Sequence, residues 1–392
     1  MINIYLFLSL IFLFTFIIGR LLQKMRIPWI FAALLLGVIL SVYNPFGHIT
    51  DSSVFVFLSN FGMYFLLFII GFETNLKEIK KKKGFIIKSM VFIISLEAIL
   101  GSLIIHYVFN YGWFISFVVA LSFSTVGEAI LVPILDEFKI INTCLGQTII
   151  SIGTLDDIIE ILILILVILF VGSNFYGHFN ISLIVVSLFC LFILTFGLTK
   201  LKKKGIQFSL IQTESLFLFV IAVLFLFLGI GEYASGTALG AILAGVGVRT
   251  FMPKERLSLI EGEIKAVCYG LFAPIFFLWA GMGLDIKYLI AHPLVVLLIV
   301  LVSSGAKYLA SFIVGRKELG VKGSILLGTG LSVRFSTSIV IMKILHDSGI
   351  VKDDLYSVII ASSIIFTLVI PILFSQLLKY YNVGANKDYG WS

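Results

Sequence analysis

The chain has 392 residues, of which 60% are hydrophobic and 12% charged, with a net charge of +7 and a mean hydropathy of +1.15. A soluble protein of this length carries about 25% charged residues, so the composition excludes an ordinary globular enzyme and indicates a polytopic membrane protein. The basic excess falls in short loops between apolar runs, which is the distribution of topology-setting charges and argues against nucleic acid as a partner.

With about 20 apolar residues needed per transmembrane helix, thirteen spans can be drawn. They lie at approximately 2–19, 27–43, 53–72, 84–108, 113–135, 143–171, 178–199, 211–230, 233–248, 266–284, 292–315, 320–345 and 355–378. The first run has no basic leader and no small-residue cleavage site, so it is expected to be a span rather than a removable signal. Polar stretches reach only about 15–20 residues, too few for a core of their own. Cys144, Cys190 and Cys268 lie within or at the ends of spans with no metal spacing, and read as small buried hydrophobes.

The loops test the span count. Arg20, Lys24 and Arg26 follow span 1, Lys77 and Lys80 to Lys83 span 3, and Lys139 span 5. Lys200 and Lys202 to Lys204 follow span 7, Arg249, Lys254, Arg256 and Lys265 span 9, and Arg316, Lys317 and Lys322 span 11. The alternate loops hold almost none, with Lys287 and Lys352 as exceptions. The positive-inside bias then puts the N-terminus outside and the C-terminus in the cytoplasm.

An odd count makes spans 1–6 and 8–13 two halves of opposite topology. Inverted repeats of this kind place a substrate site near the midplane, on interrupted helices in matching positions. The fifth span of the first half holds Phe123-Ser124-Thr125-Val126-Gly127-Glu128, and that of the second holds Gly328-Thr329-Gly330-Leu331-Ser332-Val333-Arg334. Both are small, polar, glycine-containing stretches in apolar runs. They are expected to be breaks facing each other across the site. Glycines that merely let helices pack closely are the plainer reading.

The sixth span carries Gly153-Thr154-Leu155-Asp156-Asp157-Ile158-Ile159-Glu160. A charge at the bilayer centre costs at least ~2.5–3.5 kcal/mol, and two side by side also repel, so the pair indicates an ion or proton pathway. Consecutive residues on a helix point about 100° apart, so one aspartate can face a cation cavity and the other a partner helix. Lys307, deep in span 11, is the expected counter-ion; it lies about 12 Å from the cytoplasmic end at Arg316, too far to snorkel. A purely structural ion pair would neutralise one carboxylate and leave the second unexplained. Glu160, one turn on, extends the polar face or supports it. Glu128 and Arg334, one per break, suggest an interhelical pair, or Glu128 belongs to the ion path. Glu97 is alone in span 4, and its role stays open.

These motifs resemble the monovalent cation:proton antiporters of the Kef and NapA branch. Arg26-Ile27-Pro28 with Leu36-Gly37 looks like the family's second span, and Phe61-Gly62-Met63 through Gly71-Phe72-Glu73 is similar to its third. Ser124-Thr125-Val126-Gly127 resembles the first break, and Gly146-Gln147 through Asp156-Asp157 the helix with the acid pair. Pro274-Ile275-Phe276-Phe277 with Gly281-Met282-Gly283-Leu284-Asp285 looks like the tenth span. Glu128, Val333 and Phe335 depart from the family pattern.

The resemblance implies an all-α membrane fold of NhaA/NapA type, with thirteen transmembrane helices in two inverted six-helix repeats and crossed discontinuous helices. It implies a dimerisation domain (1–80 and 211–287), a core ion-translocation domain (84–171 and 292–379) and a linker helix (172–204), assembled as a homodimer with an elevator-like cycle. Asp157 would bind the transported Na⁺, Li⁺ or K⁺ and the proton in turn, with Asp156 pairing with Lys307. The Asp-Asp pair would make exchange electrogenic, with two protons per cation. Ser124 and Thr125 would supply oxygen ligands, and Glu128, Glu160 and Arg334 accessory groups. No cofactor, enzymatic activity or Kef-type nucleotide-binding domain is expected. The location implied is the lipid bilayer of the plasma membrane, in a role such as pH homeostasis.

Rival readings are a potassium/proton antiporter or Kef-like potassium efflux protein and, further off, an organic-anion symporter of similar fold, which midplane acids disfavour. A gated channel would need no proton-coupled acid pair, and a non-transporting sensor would tolerate asparagine in its place. An enzyme would need a catalytic cluster, yet the 5 histidines all lie near span ends.

Overall fold

A computed structural model describes residues 3–25, 27–73, 84–126, 143–153, 213–233, 237–252, 254–334 and 336–381, with single positions between 135 and 197. Every regular element among the described residues is helical. α1 is Ile4–Lys24, α2 Phe31–Val42, α3 Gly47–Thr50, α4 Ser53–Glu73, α5 Gly84–Phe109 and α6 Trp113–Phe123. α7 is Cys144–Gly153, α8 Thr213–Tyr233, α9 Thr237–Phe251, α10 Lys254–Val267 and α11 Ala273–Met282. α12 is Ile286–Ala291, α13 Pro293–Leu331, α14 Ser336–Asp347 and α15 Asp353–Tyr380. Among the described residues, 7 helices are long and apolar enough to cross a membrane. α2, α6, α7 and α9 are shorter apolar helices. The expected seventh span, about 178–199, falls mostly outside the described residues.

Many apolar side chains point outward along these helices, among them Leu294, Leu297 and Leu301 of α13 and Leu218, Phe225 and Leu226 of α8. In water such faces would be aggregation sites; in a bilayer they are the solvent-facing surface, while each helix satisfies its own backbone. The helix ends follow ordinary signals. Asn110, in the left-handed region at φ 56, ends α5. The Asp285 carboxylate accepts from Tyr288 N–H at 3.0 Å and caps α12. Pro293 opens α13, and Asp353 and Asp354 occupy the first turn of α15.

Two expectations change. Spans 11 and 12 are not separated by a loop: α13 runs on and turns at the single residue Gly320, whose φ of 67 lies where a side chain is strained. Cys144 and Cys268 are buried as expected, but Cys190 is exposed.

Packing divides the chain into two compact units. The first comprises Met1–Phe12, Asn44–Asn75 and Leu164–Trp279. Here α4 and α9 touch backbone to backbone: a methyl on Gly71 would strike the Ile242 carbonyl, and one on Gly245 the Phe68 carbonyl. Small residues replace a hydrophobic driving force between helices in lipid. Between α10 and α11, Cys268–Phe272 is a π-helical segment within one continuous helix, and the Phe272 ring stacks on Phe65 of α4 at 5.1 Å.

The second unit comprises Leu13–Tyr43, Leu76–Ile163 and Ala280–Ser392. Its core joins Ile86, Met90, Ile93 and Ile94 of α5, Leu145, Ile149 and Ile152 of α7, Leu326, Leu327 and Leu331 of α13, and Phe366, Ile370 and Phe374 of α15. The buried charges lie in this unit.

Candidate functional site

The site grows out of the ends of two helices, α6 and α13. α6 is apolar along its length and ends at Phe123, where Ser124 Oγ donates to the Leu121 carbonyl at 2.9 Å and Thr125 Oγ1 to the Ser122 carbonyl at 3.4 Å. α13 ends at Leu331 in the same way, with Ser332 Oγ donating to the Gly328 carbonyl at 2.7 Å. Short hydroxyl side chains compete for helix carbonyls and favour termination at such points. Helical conformation resumes at Ser336 in α14. The second expected break is therefore present at 332–334, and α6 ends at 124–126, where the first was expected; the stretch 127–134 that would continue it lies outside the described residues.

Broken backbone in a membrane interior needs partners, and charged side chains supply them. Lys307 Nζ donates to the Leu331 carbonyl at 2.6 Å and to the Thr125 carbonyl at 3.3 Å. One ammonium thus meets the C-terminal ends of both half-helices, where the peptide dipoles leave partial negative charge. The Val126 N–H donates to Asp156 Oδ2 at 2.5 Å, so a carboxylate takes the amide on the other side of the first break. Across the second break, Thr367 Oγ1 of α15 donates to the Arg334 carbonyl at 2.7 Å.

The ionisable side chains are linked to one another. Arg334 Nη2 donates to Glu97 Oε1 at 2.7 Å, and Lys307 Nζ lies 3.3 Å from Glu97 Oε2. Ser303 Oγ bridges Glu97 Oε1 and Arg334 Nη2 in short hydrogen bonds to both. Phe123 and Phe366 sandwich the guanidinium at 4.8 and 4.3 Å, which supplies the cation with π-faces in place of water. Glu97, Asp156 and Lys307 are 0% exposed and Arg334 1%. Asp156 also acts electrostatically on Lys307.

The described groups are two acids and two bases, a neutral set at full ionisation. Charges buried to this depth persist only when paired and hydrogen-bonded.

Of the residues expected at the site, Asp156, Lys307, Ser124, Thr125 and Arg334 come together. Asp157, Glu128 and Glu160 lie outside the described residues. Among the described residues, the carboxylate that meets Arg334 is Glu97, on α5. Glu97 also stands at ion-pair distance from Lys307, on which Asp156 acts electrostatically as well. Sequence reasoning left Glu97 open and missed Ser303 and Thr367. The signal for Ser303 was its spacing: it stands one turn before Lys307 on the same helix face.

The family model for the transmembrane region of sodium/hydrogen exchangers matches residues 10–380. The chain belongs to the sodium/hydrogen exchanger family. Curated relatives of this exchanger include a probable Na⁺/H⁺ antiporter of Methanocaldococcus jannaschii, 28% identical over 92% of this chain and 93% of that one. An Na⁺/H⁺ antiporter of Enterococcus hirae is 24% identical over 95% of this chain and 97% of that one. Among solved structures, the sodium proton antiporter MjNhaP1 of Methanocaldococcus jannaschii superposes with a TM-score of 0.63 at 19% identity, covering 98% of each chain. That likeness concerns the fold, an all-helical membrane exchanger architecture.

Proposed function

We propose that this exchanger is a secondary active antiporter that moves Na⁺, or Li⁺ or K⁺, against H⁺ through a single shared site. The observation that carries the reading is the buried set Glu97, Asp156, Lys307 and Arg334 gathered at the ends of two helices, α6 and α13. Those two acids and two bases balance. Asp157, the next residue after Asp156, adds one negative charge to that balanced set, and either a proton or a monovalent cation can neutralise it. A site that needs one of two positive charges, and holds them in turn, is an exchanger.

In this reading Asp157 binds cation and proton alternately. Ser124 and Thr125 add hydroxyl oxygens, whose lone pairs remain available because both hydroxyls donate elsewhere. Carbonyls of the breaks complete the oxygen set that a hard monovalent cation requires. Glu128 and Glu160 are accessory groups on the ion path. Cation entry loosens the hold of the carboxylates on Lys307, which releases a second proton, so exchange carries net charge. The finer features belong to the same proposal: membership of the Kef/NapA branch, thirteen spans in inverted repeats, and a dimer domain of 1–80 with 211–287. So do a core of 84–171 with 292–379 moving elevator-like within a homodimer, and a plasma-membrane location with the N-terminus outside. The curated antiporter relatives support the exchange of sodium for protons.

The test is a cation pulse to proteoliposomes loaded with a pH dye, repeated for Na⁺, Li⁺ and K⁺. Wild-type protein is expected to move protons in response, and Asp157→Asn to abolish the signal. Full activity in Asp157→Asn would remove that residue from the site.

A further inference from the structure

We infer that Glu97 is a positioning residue of the exchange site, the acid that holds Lys307 and Arg334 in place and keeps the site's charge in balance. The inference rests on the antiport reading above and extends it to a residue on a helix that carries neither the acid pair nor a break. Three observations support it. Glu97 is fully buried near the middle of α5. Its two oxygens serve different bases, Oε1 taking Arg334 at 2.7 Å and Oε2 lying 3.3 Å from Lys307. Those bases sit on or beside the breaks: Arg334 is part of the second, and Lys307 holds carbonyls of both.

A structural ion pair needs one base, and Arg334 with Ser303 already satisfies Oε1. Oε2 has no hydrogen-bond partner among the described residues and meets Lys307 at ion-pair distance without a formed hydrogen bond. That contact leaves the ammonium free to donate to the two break carbonyls while a fixed negative charge stands behind it. Glu97 therefore does for Lys307 what a tether does. It keeps the cationic head at the break whichever ion occupies the neighbouring carboxylates. Without its charge the bases outnumber the described acids, and a more positive site binds an incoming cation more weakly and holds its protons less tightly.

The experiment compares wild type with Glu97→Gln in proteoliposomes, measuring the cation KM and the pH profile of exchange. Glutamine keeps the shape and can still accept from Arg334 and Ser303. The expected result is a KM raised about tenfold and a pH profile moved towards acid by about one unit, the change that loss of one nearby charge produces. Glu97→Gln combined with Arg334→Gln restores the balance and is expected to bring both quantities back towards wild type. A merely structural Glu97 predicts lowered stability in Glu97→Gln, with KM and pH profile unmoved in the single and double variants alike. If Glu97→Gln does not fold, Glu97→Asp carries the test. Its carboxylate is one methylene shorter and cannot span both bases, so a smaller shift of the same sign is expected. Wild-type KM and pH profile in Glu97→Gln, or in Glu97→Asp where that is the variant tested, overturn the inference. Wild-type vesicles that move no protons with any of the three cations overturn the antiport reading instead.

Discussion

At the scale of residues, the site is a problem in buried charge. Arg334 has one carboxylate partner among the described residues and two aromatic rings, so its removal leaves the Oε1 side of the buried Glu97 without its base, with Lys307 on Oε2 alone. Breaking a buried pair from one side destabilises by about 3–5 kcal/mol, because the partner is left uncompensated. Arg334→Leu is therefore expected to lower the melting temperature of the detergent-purified protein by several degrees, whereas Thr367→Val, which loses one hydrogen bond to a carbonyl, should cost about 1 kcal/mol. Equal melting curves for wild type and Arg334→Leu would show that the pair is not buried as described. Lys307 differs from Arg334 in kind. Its ammonium is divided among Glu97 and two carbonyls, so Lys307→Ala is expected to alter the voltage dependence or pH profile of exchange more than folding. No change in either property would remove Lys307 from the mechanism.

At the scale of elements, the end of α14 is tied to α15 by a titratable contact. His346 Nε2 lies 2.7 Å from Asp353 and Nδ1 3.4 Å from Asp347, while Lys343 pairs with Asp347 at 2.7 Å and the Tyr356 ring packs against the imidazole at 4.4 Å. The hydrogen bond to Asp347 is the main cause that holds His346 above its ordinary value; partial burial works against it, Asp353 adds to it, and Lys343 opposes it. A histidine raised in the folded state contributes stability that is full below its unfolded value, about 6.5, and fades as pH rises through the folded value. The melting-temperature gap between wild type and His346→Gln is thus expected to be widest in mild acid and to close in alkali. A gap that grows with pH would contradict the contact. The glycine turn within α13 belongs to this scale too. Gly320→Ala places a side chain at positive φ and is expected to destabilise by about 1 kcal/mol, with the methyl itself meeting open space.

At the scale of the whole molecule, the proposed exchange of two protons for one cation would move net charge across the bilayer. A diffusion potential imposed with a potassium ionophore is then expected to change the rate of Na⁺-driven proton movement, by a factor that grows with the potential. A rate indifferent to potential would make exchange electroneutral.

Much of this was legible in the chain because membrane constraints act locally. Hydropathy locates spanning helices, since each must satisfy its own backbone within about 20 residues, and the small, polar, glycine-containing stretches mark where α6 and α13 end, since short hydroxyls there compete for helix carbonyls. Aspartates in an apolar run declare a site without any neighbour being known. Partnership was not legible. Glu97 lies 206 residues from Ser303 and 237 from Arg334, and no periodicity connects them. By itself the sequence determined the class of protein, the places where α6 and α13 end, and three of the four buried charged residues described beside them, Asp156, Lys307 and Arg334. Only the tertiary structure decided which acid faces which base, because charge pairing across helices depends on how the helices are laid together in space, and a hydrophobic pattern read along one helix carries no record of its neighbour.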